Sequence, residues 1–473
     1  MNFQYLPYRC TIIRGKAQSE MEDLLPFYAQ TVHKFCPCKK DEFDQKCNSR
    51  LAKFICNNTD YENLPSSNKK TIRNHITEIM GKLLGLYYKG TDGTVYESES
   101  CKHLNEHNDF PSFFKNICIH LQFPNASQKK NTISEYIANG LNIRPLCFII
   151  SLLHYAQSQE ENYLLTKQEI GHYVLNNLYV LQGKISFKDV YEQIIFDRKA
   201  NIKLEKLSGS HDWQHIKEML NLLDLANITL TDSEYIWLNK NEEKAISTVL
   251  RYQEKPIFDV YKYNIKDKDE RKHLYADWEK YYGDIIPEIT TLETEFSIST
   301  EIVILNGNQA TKQRGSVGLS TVELGDKGEA LVFSMEKELV RKYKERLVNK
   351  VLLLGKTKGL GYDISSIEAD RNVEFSEFAR YIEVKSTRRV TEPSFDNMWS
   401  DSISLTTKEW VAAKQYKEYY NIYRVYFTRD KIIIAIINNP YQKFMDEIID
   451  VYPTIYQLDF SNQAIKEKRY VQE

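Results

Sequence analysis

The chain has 473 residues, too many for one hydrophobic core of ordinary size, so two or three domains are expected. Apolar residues at 42 % and charged residues at 27 % exclude the disordered and collagen-like classes. A net charge of −2 and a pI near 6.6 exclude a basic coat over the whole surface, so any nucleic-acid partner must meet a local patch.

Met1–Pro7 has neither a basic segment nor a following apolar stretch, so no export signal is expected. The longest apolar runs, Leu146–Leu153 and Ile432–Ile437, fall well short of the roughly 20 residues that cross a bilayer. The expectation is a cytoplasmic protein with no membrane partner. In that compartment the eight cysteines are expected to be reduced thiols.

Residues 1–160 read as a mainly helical domain, a candidate for target recognition, from stretches such as "TIRNHITEIMGKLLGLYY" and "RPLCFIISLLHYA" with apolar positions at spacings of three and four. Within it Cys36, Cys38, Cys47 and Cys56 lack the paired C-x₂-C knuckles of common zinc modules, so buried free thiols are favoured over zinc. In residues 161–240, Thr166 stands three before Glu169 with the spacing of a capping box. "QHIKEMLNLLDLA" follows as a helix, then "NITLTDSEYIWLN" as two strands around a turn at Asp232–Ser233. Helix, helix and hairpin in that order suggest a winged-helix module that reads DNA. Its second helix is neither strongly basic nor rich in Arg, Asn or Gln, so protein contact or scaffolding weighs equally.

Residues 241–314 are expected to be a charged helical connector, "NEEKAISTVLRYQEK" and "KDKDERKHLYADWEKYY", ending in a glycine-rich linker that begins "NGNQATKQRG". Residues 315–473 form an α/β domain. "GEALVFSMEKELVRKYKERLVNK" is an amphipathic helix, with Leu331, Met335, Leu339, Tyr343 and Leu347 one every fourth position. Strands "VLLL", "YDISSIE" and "YIEVKST", a helix "TKEWVAAKQYKEYY" and strands "IYRVYFT" and "KIIIAII" follow, in the order α-β-β-β-α-β-β.

All cysteines lie at or before Cys147 and all ten histidines at or before His273, so the last domain must do any chemistry with carboxylates, lysine and hydroxyls. Within "YIEVKST", alternation puts Tyr381, Glu383, Lys385 and Thr387 on one face. A hairpin returning from "GYDISS" could set Asp363 beside Glu383. Two carboxylates on adjacent strands repel unless a cation lies between them, and Mg²⁺, with its liking for a few carboxylates and several waters, suits such a place. An isolated Glu-Val-Lys on a half-buried strand is more often a solvated ion pair.

The ordered set "GEALVFSMEKELV … GYDISS … YIEVKST … LTTKEWVAAKQYKEYYNIYRV" resembles the PD-(D/E)XK, or restriction-endonuclease-like, nuclease superfamily, and more narrowly the C-terminal domain of NO VEIN and of bacterial restriction and defence proteins. The likeness spans roughly Gly315 to Pro440, with Tyr362 where the superfamily carries proline. It implies a mixed central sheet flanked by helices, with Asp363, Glu383 and Glu329 holding Mg²⁺ (Mn²⁺ as substitute), Lys385 catalytic, and Gln415 joining the site from the following helix. Asp326 and Glu329 also have the spacing of a capping box, and Glu336 competes for the acidic role. Ser386, Thr387, Arg388 and Arg389 could meet phosphates or form a solvated basic turn. The resemblance implies a DNA endonuclease in restriction or another defence, with room for a homodimer and for a methyltransferase or helicase partner. The alternative is a non-catalytic DNA-binding or assembly protein that keeps the nuclease fold as a scaffold.

Overall fold

A computed structural model describes residues 3–58, 60–159, 164–284, 302–306, 309–313, 321–355, 359–368, 379–396, 399–453 and 456–471. The chain divides into two compact units: Met1–Ala17, Thr31–Leu104 and Pro111–Glu295 form the first, and Gln18–Gln30, Asn105–Phe110 and Phe296–Glu473 the second. The expected boundaries were contiguous. The second unit instead includes the first turns of helix α1 (Gln18–Phe35) and a short segment before Pro111.

Unit 1 is mainly helical, as its periodicity implies. α2 (Pro145–Gln157) starts with a proline in its first turn, where no intrahelical N–H is needed, and buries every residue from Pro145 to Leu153. The region expected to hold helix, helix and hairpin contains β1 (Leu165–Thr166), helical turns over 167–175, α3 (Phe187–Lys199), α4 (Ser210–Leu225), β2 (Thr229–Thr231) and β3 (Tyr235–Leu238). The three strands form a sheet in the order β1-β3-β2. The capping box is present: Glu169 N donates to Thr166 Oγ1 at 3.1 Å and Thr166 N to Glu169 Oε2 at 2.7 Å. The turn is pinned by Asp232 Oδ1, which accepts from the backbone N–H groups of Glu234 and Tyr235 at 2.8 and 2.6 Å.

Residues 241–283 correct the expectation of a solvated connector. α5 (Glu243–Gln253) buries Ala245, Ile246, Val249 and Tyr252, and α6 (Lys268–Gly283) buries Leu274, Trp278 and Tyr282. The four-residue spacing in α6 forms one apolar stripe inside a charged sequence, and burial of that stripe places the helix in unit 1. The expected linker is also partly ordered. Ile302–Asn306 pairs antiparallel with Gln309–Gln313, and α7 begins at Thr321 and runs to Tyr343. Residues 314–320 lie outside the described residues.

Unit 2 is built on a six-stranded sheet. In chain order its strands are β4 (Leu352–Leu353), β5 (Ile364–Ile367), β6 (Ala379–Arg388), β8 (Tyr420–Phe427), β9 (Ile432–Asn438) and β12 (Glu467–Val471), arranged β12-β9-β8-β6-β5-β4. Only β6 and β8 run parallel, as a crossover through α8 (Thr407–Tyr416) requires. β7 (Ser400–Leu405), β10 (Asp450–Pro453) and β11 (Tyr456–Ser461) make a second sheet, which the sequence reading missed. On one face of the large sheet α7 packs through Leu324, Val332 and Val340 onto Ile364, Ile382, Val384 and Tyr423. On the other, Trp410 and Ala413 of α8 and Ile403 and Leu458 of the small sheet cover Ile422, Tyr426 and Ile433.

Candidate active site

β5 and β6 form the antiparallel pair that the sequence implied, with Ile364 opposite Ile382. The ladder extends one step further, since Asp363 N donates to Ile382 O at 2.9 Å, and this sets Asp363 across from Glu383. Asp363 Oδ2 accepts from Val384 N at 2.8 Å, which fixes the carboxylate against the strand. The turn before it needs glycine for two reasons. Gly361 has φ +77°, and a Cβ there would come within 2.6 Å of Lys408 O and 2.9 Å of the Ala412 Cβ on α8. Tyr420 closes the turn from β8, its hydroxyl donating to Gly361 O at 2.9 Å.

Glu383 is buried, and Lys385 Nζ lies 2.6 Å from its Oε1. The same ammonium lies 3.0 Å from Glu409 Oε2 on α8. Glu409 was not among the expected residues, although its signal was present: Thr406-x-x-Glu409 is a capping box, with Thr406 N donating to Glu409 Oε2 at 2.9 Å. One carboxylate thus starts the helix and grips the lysine. Burial pushes the Asp363 carboxyl above its usual range against the pull of the Val384 N–H and Lys385. Burial, then Asp363 and Glu409, push Glu383 up well beyond the ordinary carboxylate range. Burial works against the charged Lys385, but Glu383 and Glu409 outweigh it and hold the ammonium protonated.

Three carboxylates therefore surround one ammonium, an excess of negative charge in a half-enclosed place. Among the described residues no group of three or more His, Cys, Asp or Glu side chains is arranged to hold a metal. The oxygen pair Asp363 and Glu383 fits a hard divalent ion that keeps several waters, because the crowded carboxylates favour any cation between them.

Glu329 lies on α7. The helix begins at Thr321, so Asp326 and Glu329 lie inside it and the capping-box reading fails. Gly328 lets the helix rest on β6, where a Cβ would strike Ser386, and the Glu329 carboxylate sits against Gly355, just past β4. Gly355 follows Leu354, whose N–H donates to Asp363 O at 2.6 Å. Glu336, the competing residue, is fully buried and bonded elsewhere: Tyr423 donates to it at 2.7 Å and Arg380 lies at 3.5 Å. Gln415 is exposed on α8, six residues past Glu409.

The residues after Lys385 do not form a solvated basic turn. Thr387, Arg388 and Arg389 are buried. Thr387 Oγ1 donates to Asn108 O at 2.9 Å, Arg388 pairs with Asp109 at 3.2 Å, and Arg389 pairs with Asp23 at 2.8 Å and Glu22 at 3.7 Å. Ser386 faces α7 at Gly328. Arg388 and Arg389 are thus held by buried acids and are not presented to a phosphate.

Unit 1 carries a second polar site. A cavity of about 240 Å³ is lined by Arg9, Cys10, Thr11, Ile12 and Arg14 of the N-terminal segment and by His211, Gln214 and His215 of α4. Arg9 pairs with Asp212, and Arg14 lies 3.3 Å from His211 Nδ1. Arg9 and Arg14 add to the single lysine of α4 from a segment about 200 residues earlier, which local reading could not reveal. Burial pushes the Cys36 and Cys47 thiols up, and both remain protonated. No helix among the described residues is long and apolar enough to cross a membrane.

Residues 328–437 match the family described as protein NO VEIN, C-terminal, which covers Asp363, Glu383, Lys385 and Glu409. No curated protein matches the chain. Among solved structures, the chain is similar to the crystal structure of pyrene- and phenanthrene-modified DNA in complex with the BpuJ1 endonuclease binding domain, at 38 % identity and a TM-score of 0.54, over 59 % of this chain and 98 % of that one. Residues 2–279 match the N-terminal region of restriction endonuclease BpuJI, and since that match spans more than half of its length, the chain belongs to the family of that restriction endonuclease region.

Proposed function

We propose that the protein is a metal-dependent DNA endonuclease, in which unit 1 binds DNA and unit 2 hydrolyses a phosphodiester in the manner of a PD-(D/E)XK enzyme. The observation that carries this reading is Asp363 across from Glu383, with Lys385 2.6 Å from Glu383. Asp363 and Glu383, with Glu329 from α7, would hold Mg²⁺ or Mn²⁺. When bound, such an ion supplies a more acidic water and offsets charge on the phosphate. Lys385 orients the attacking water and Glu409 keeps the ammonium in place. Three carboxylates gathered around one lysine exceed what a scaffold strand needs for charge balance, which favours catalysis over the non-catalytic reading.

Unit 1 supports the binding half. Its sheet order β1-β3-β2, with α3 and α4 between β1 and β2, suits a winged helix. Arg9 and Arg14 beside the first turns of α4 give that helix a cationic edge for phosphates. The related BpuJI binding domain was solved on modified DNA, which supports the same role here. Restriction or another defence against foreign DNA is the biology this reading implies.

Plasmid DNA, methylated and unmethylated, incubated with the protein and Mg²⁺ tests the proposal. Cutting is expected with at least one of them, and Asp363→Ala and Lys385→Ala are each expected to lose it by about 10³-fold or more. Full cutting by either variant overturns the assignment. Mg²⁺-independent binding without any nick supports the scaffold instead.

A further inference from the structure

Three tyrosines form an aromatic group beside the carboxylates of unit 2. Tyr362 immediately precedes Asp363, Tyr381 lies on β6 two residues before Glu383 and on the same strand face, and Tyr416 ends α8, whose first turn holds Glu409. Tyr381 and Tyr416 are stacked, with ring centroids 3.9 Å apart and planes 29° from parallel. Tyr362 lies 4.7 Å from Tyr381 and meets Tyr416 edge-on at 5.9 Å. All three are half-buried, so the group is packed on its inner side and open on its outer side.

The charges around it decide what could bind there. A site that grips an intact duplex beside the scissile phosphate needs free cations for the flanking phosphates. Here Arg388 and Arg389 are buried against Asp109, Asp23 and Glu22, and Arg424 is buried 2.8 Å from Asp401. On β6 the side chain next to the carboxylates is Tyr381, joined by the rings of Tyr362 and Tyr416, while the exposed lysines nearby, Lys408, Lys414 and Lys417, lie on α8 and just after it. Tyr381 and Glu383 stand about 6–7 Å apart along the strand, the order of one nucleotide step. A base resting on the tyrosines would thus hold its neighbouring phosphate over Asp363 and Glu383.

We propose that Tyr362, Tyr381 and Tyr416 form a stacking platform for an unpaired nucleobase adjoining the scissile phosphate, so that unit 2 acts on DNA with a locally unstacked or single-stranded nucleotide. The inference rests on the nuclease reading of the same site. Base–aromatic stacking tolerates any base, so the platform selects DNA structure and leaves sequence to unit 1.

The test uses the full-length protein and two synthetic duplexes of one sequence, one fully paired and one with a three-nucleotide gap containing 2-aminopurine. With Mg²⁺ the gapped DNA is expected to be cut at least about tenfold faster than the paired DNA. Tyr416→Leu is expected to bring that ratio close to one, and Tyr416→Phe to restore it. Without cleavage, Asp363→Ala is expected to quench 2-aminopurine fluorescence as the unaltered protein does, and Tyr416→Leu to quench it less. A wild-type ratio near one, or a ratio and quenching that survive Tyr416→Leu, overturns the platform while the nuclease reading stands. Cutting by Asp363→Ala overturns the nuclease reading, while the quenching still reports on the platform.

Discussion

The middle of β6 and its C-terminal end both carry charged residues and use them in opposite ways. At Glu383 and Lys385 three carboxylates share one ammonium, and the lysine side chain is still 24 % exposed. Four residues on, Arg388 and Arg389 are buried with acids of their own: Asp109 beside one, Glu22 and Asp23 beside the other. The balanced end holds unit 2 together, and the unbalanced end is available for chemistry. Within one strand, an excess of charge over its partners is a better sign of a site than charge itself.

Substituting Arg388 or Lys385 separates structural from chemical charge. Arg388→Met leaves Asp109 charged and buried, and is expected to cost about 3–5 kcal/mol, measured by denaturant unfolding. Lys385→Met leaves Glu383 buried without its ammonium and is also expected to lower stability, while cleavage falls by the margin given for Lys385→Ala. An Arg388→Met protein as stable as the unaltered chain would mean that the two ends do not differ.

Acidification separates charge balance from plain burial. Burial holds His75 and His215 of unit 1 at about 4, below the ordinary 6.5. The unfolded chain therefore takes up protons between those values while the folded chain does not, so stability is lost as pH falls from about 6.5 towards 4, by roughly 3 kcal/mol for each histidine. Thermal unfolding followed across that range should show the slope, and His75→Gln with His215→Gln should flatten it.

Smaller effects sharpen the unbalanced end. Thr406→Ala removes the cap that seats Glu409 and is expected to cost about 1 kcal/mol of stability. It should also slow cleavage more than that loss alone would, because the grip on Lys385 loosens. Glu383→Gln removes one of the crowded charges. It is expected to abolish cleavage yet raise the metal-free melting point, by on the order of 1 kcal/mol of stability. A lower melting point would show that Glu383 is structurally balanced after all.

What was legible in the sequence was local. The β5–β6 hairpin, the shared face of Glu383 and Lys385 and the capping box at Thr166 depend on residues within about 20 positions of one another. The buried state of Arg388 and Arg389 was not legible, since their partners are separated from them by hundreds of residues. Glu409 could have been found from Thr406-x-x-Glu409. The start of α7 was obscured by Gly325 and Gly328, which resemble linker residues until Gly328 is seen lying on Ser386. α6 was hidden by its charge, although Leu274, Trp278 and Tyr282 mark its inner stripe.

The discontinuous make-up of unit 2 has a consequence for its synthesis. Glu22 accepts a hydrogen bond from Val390 N, 368 positions further along the chain. At about 5–20 residues per second, the acids of α1 leave the ribosome roughly 20–70 s before the strand that neutralises them. Until then Glu22, Asp23 and Asp109 can only be solvated. The strand that carries Glu383 and Lys385 can settle fully only when Val390 reaches Glu22, so a chain stopped before that strand lacks the proposed site.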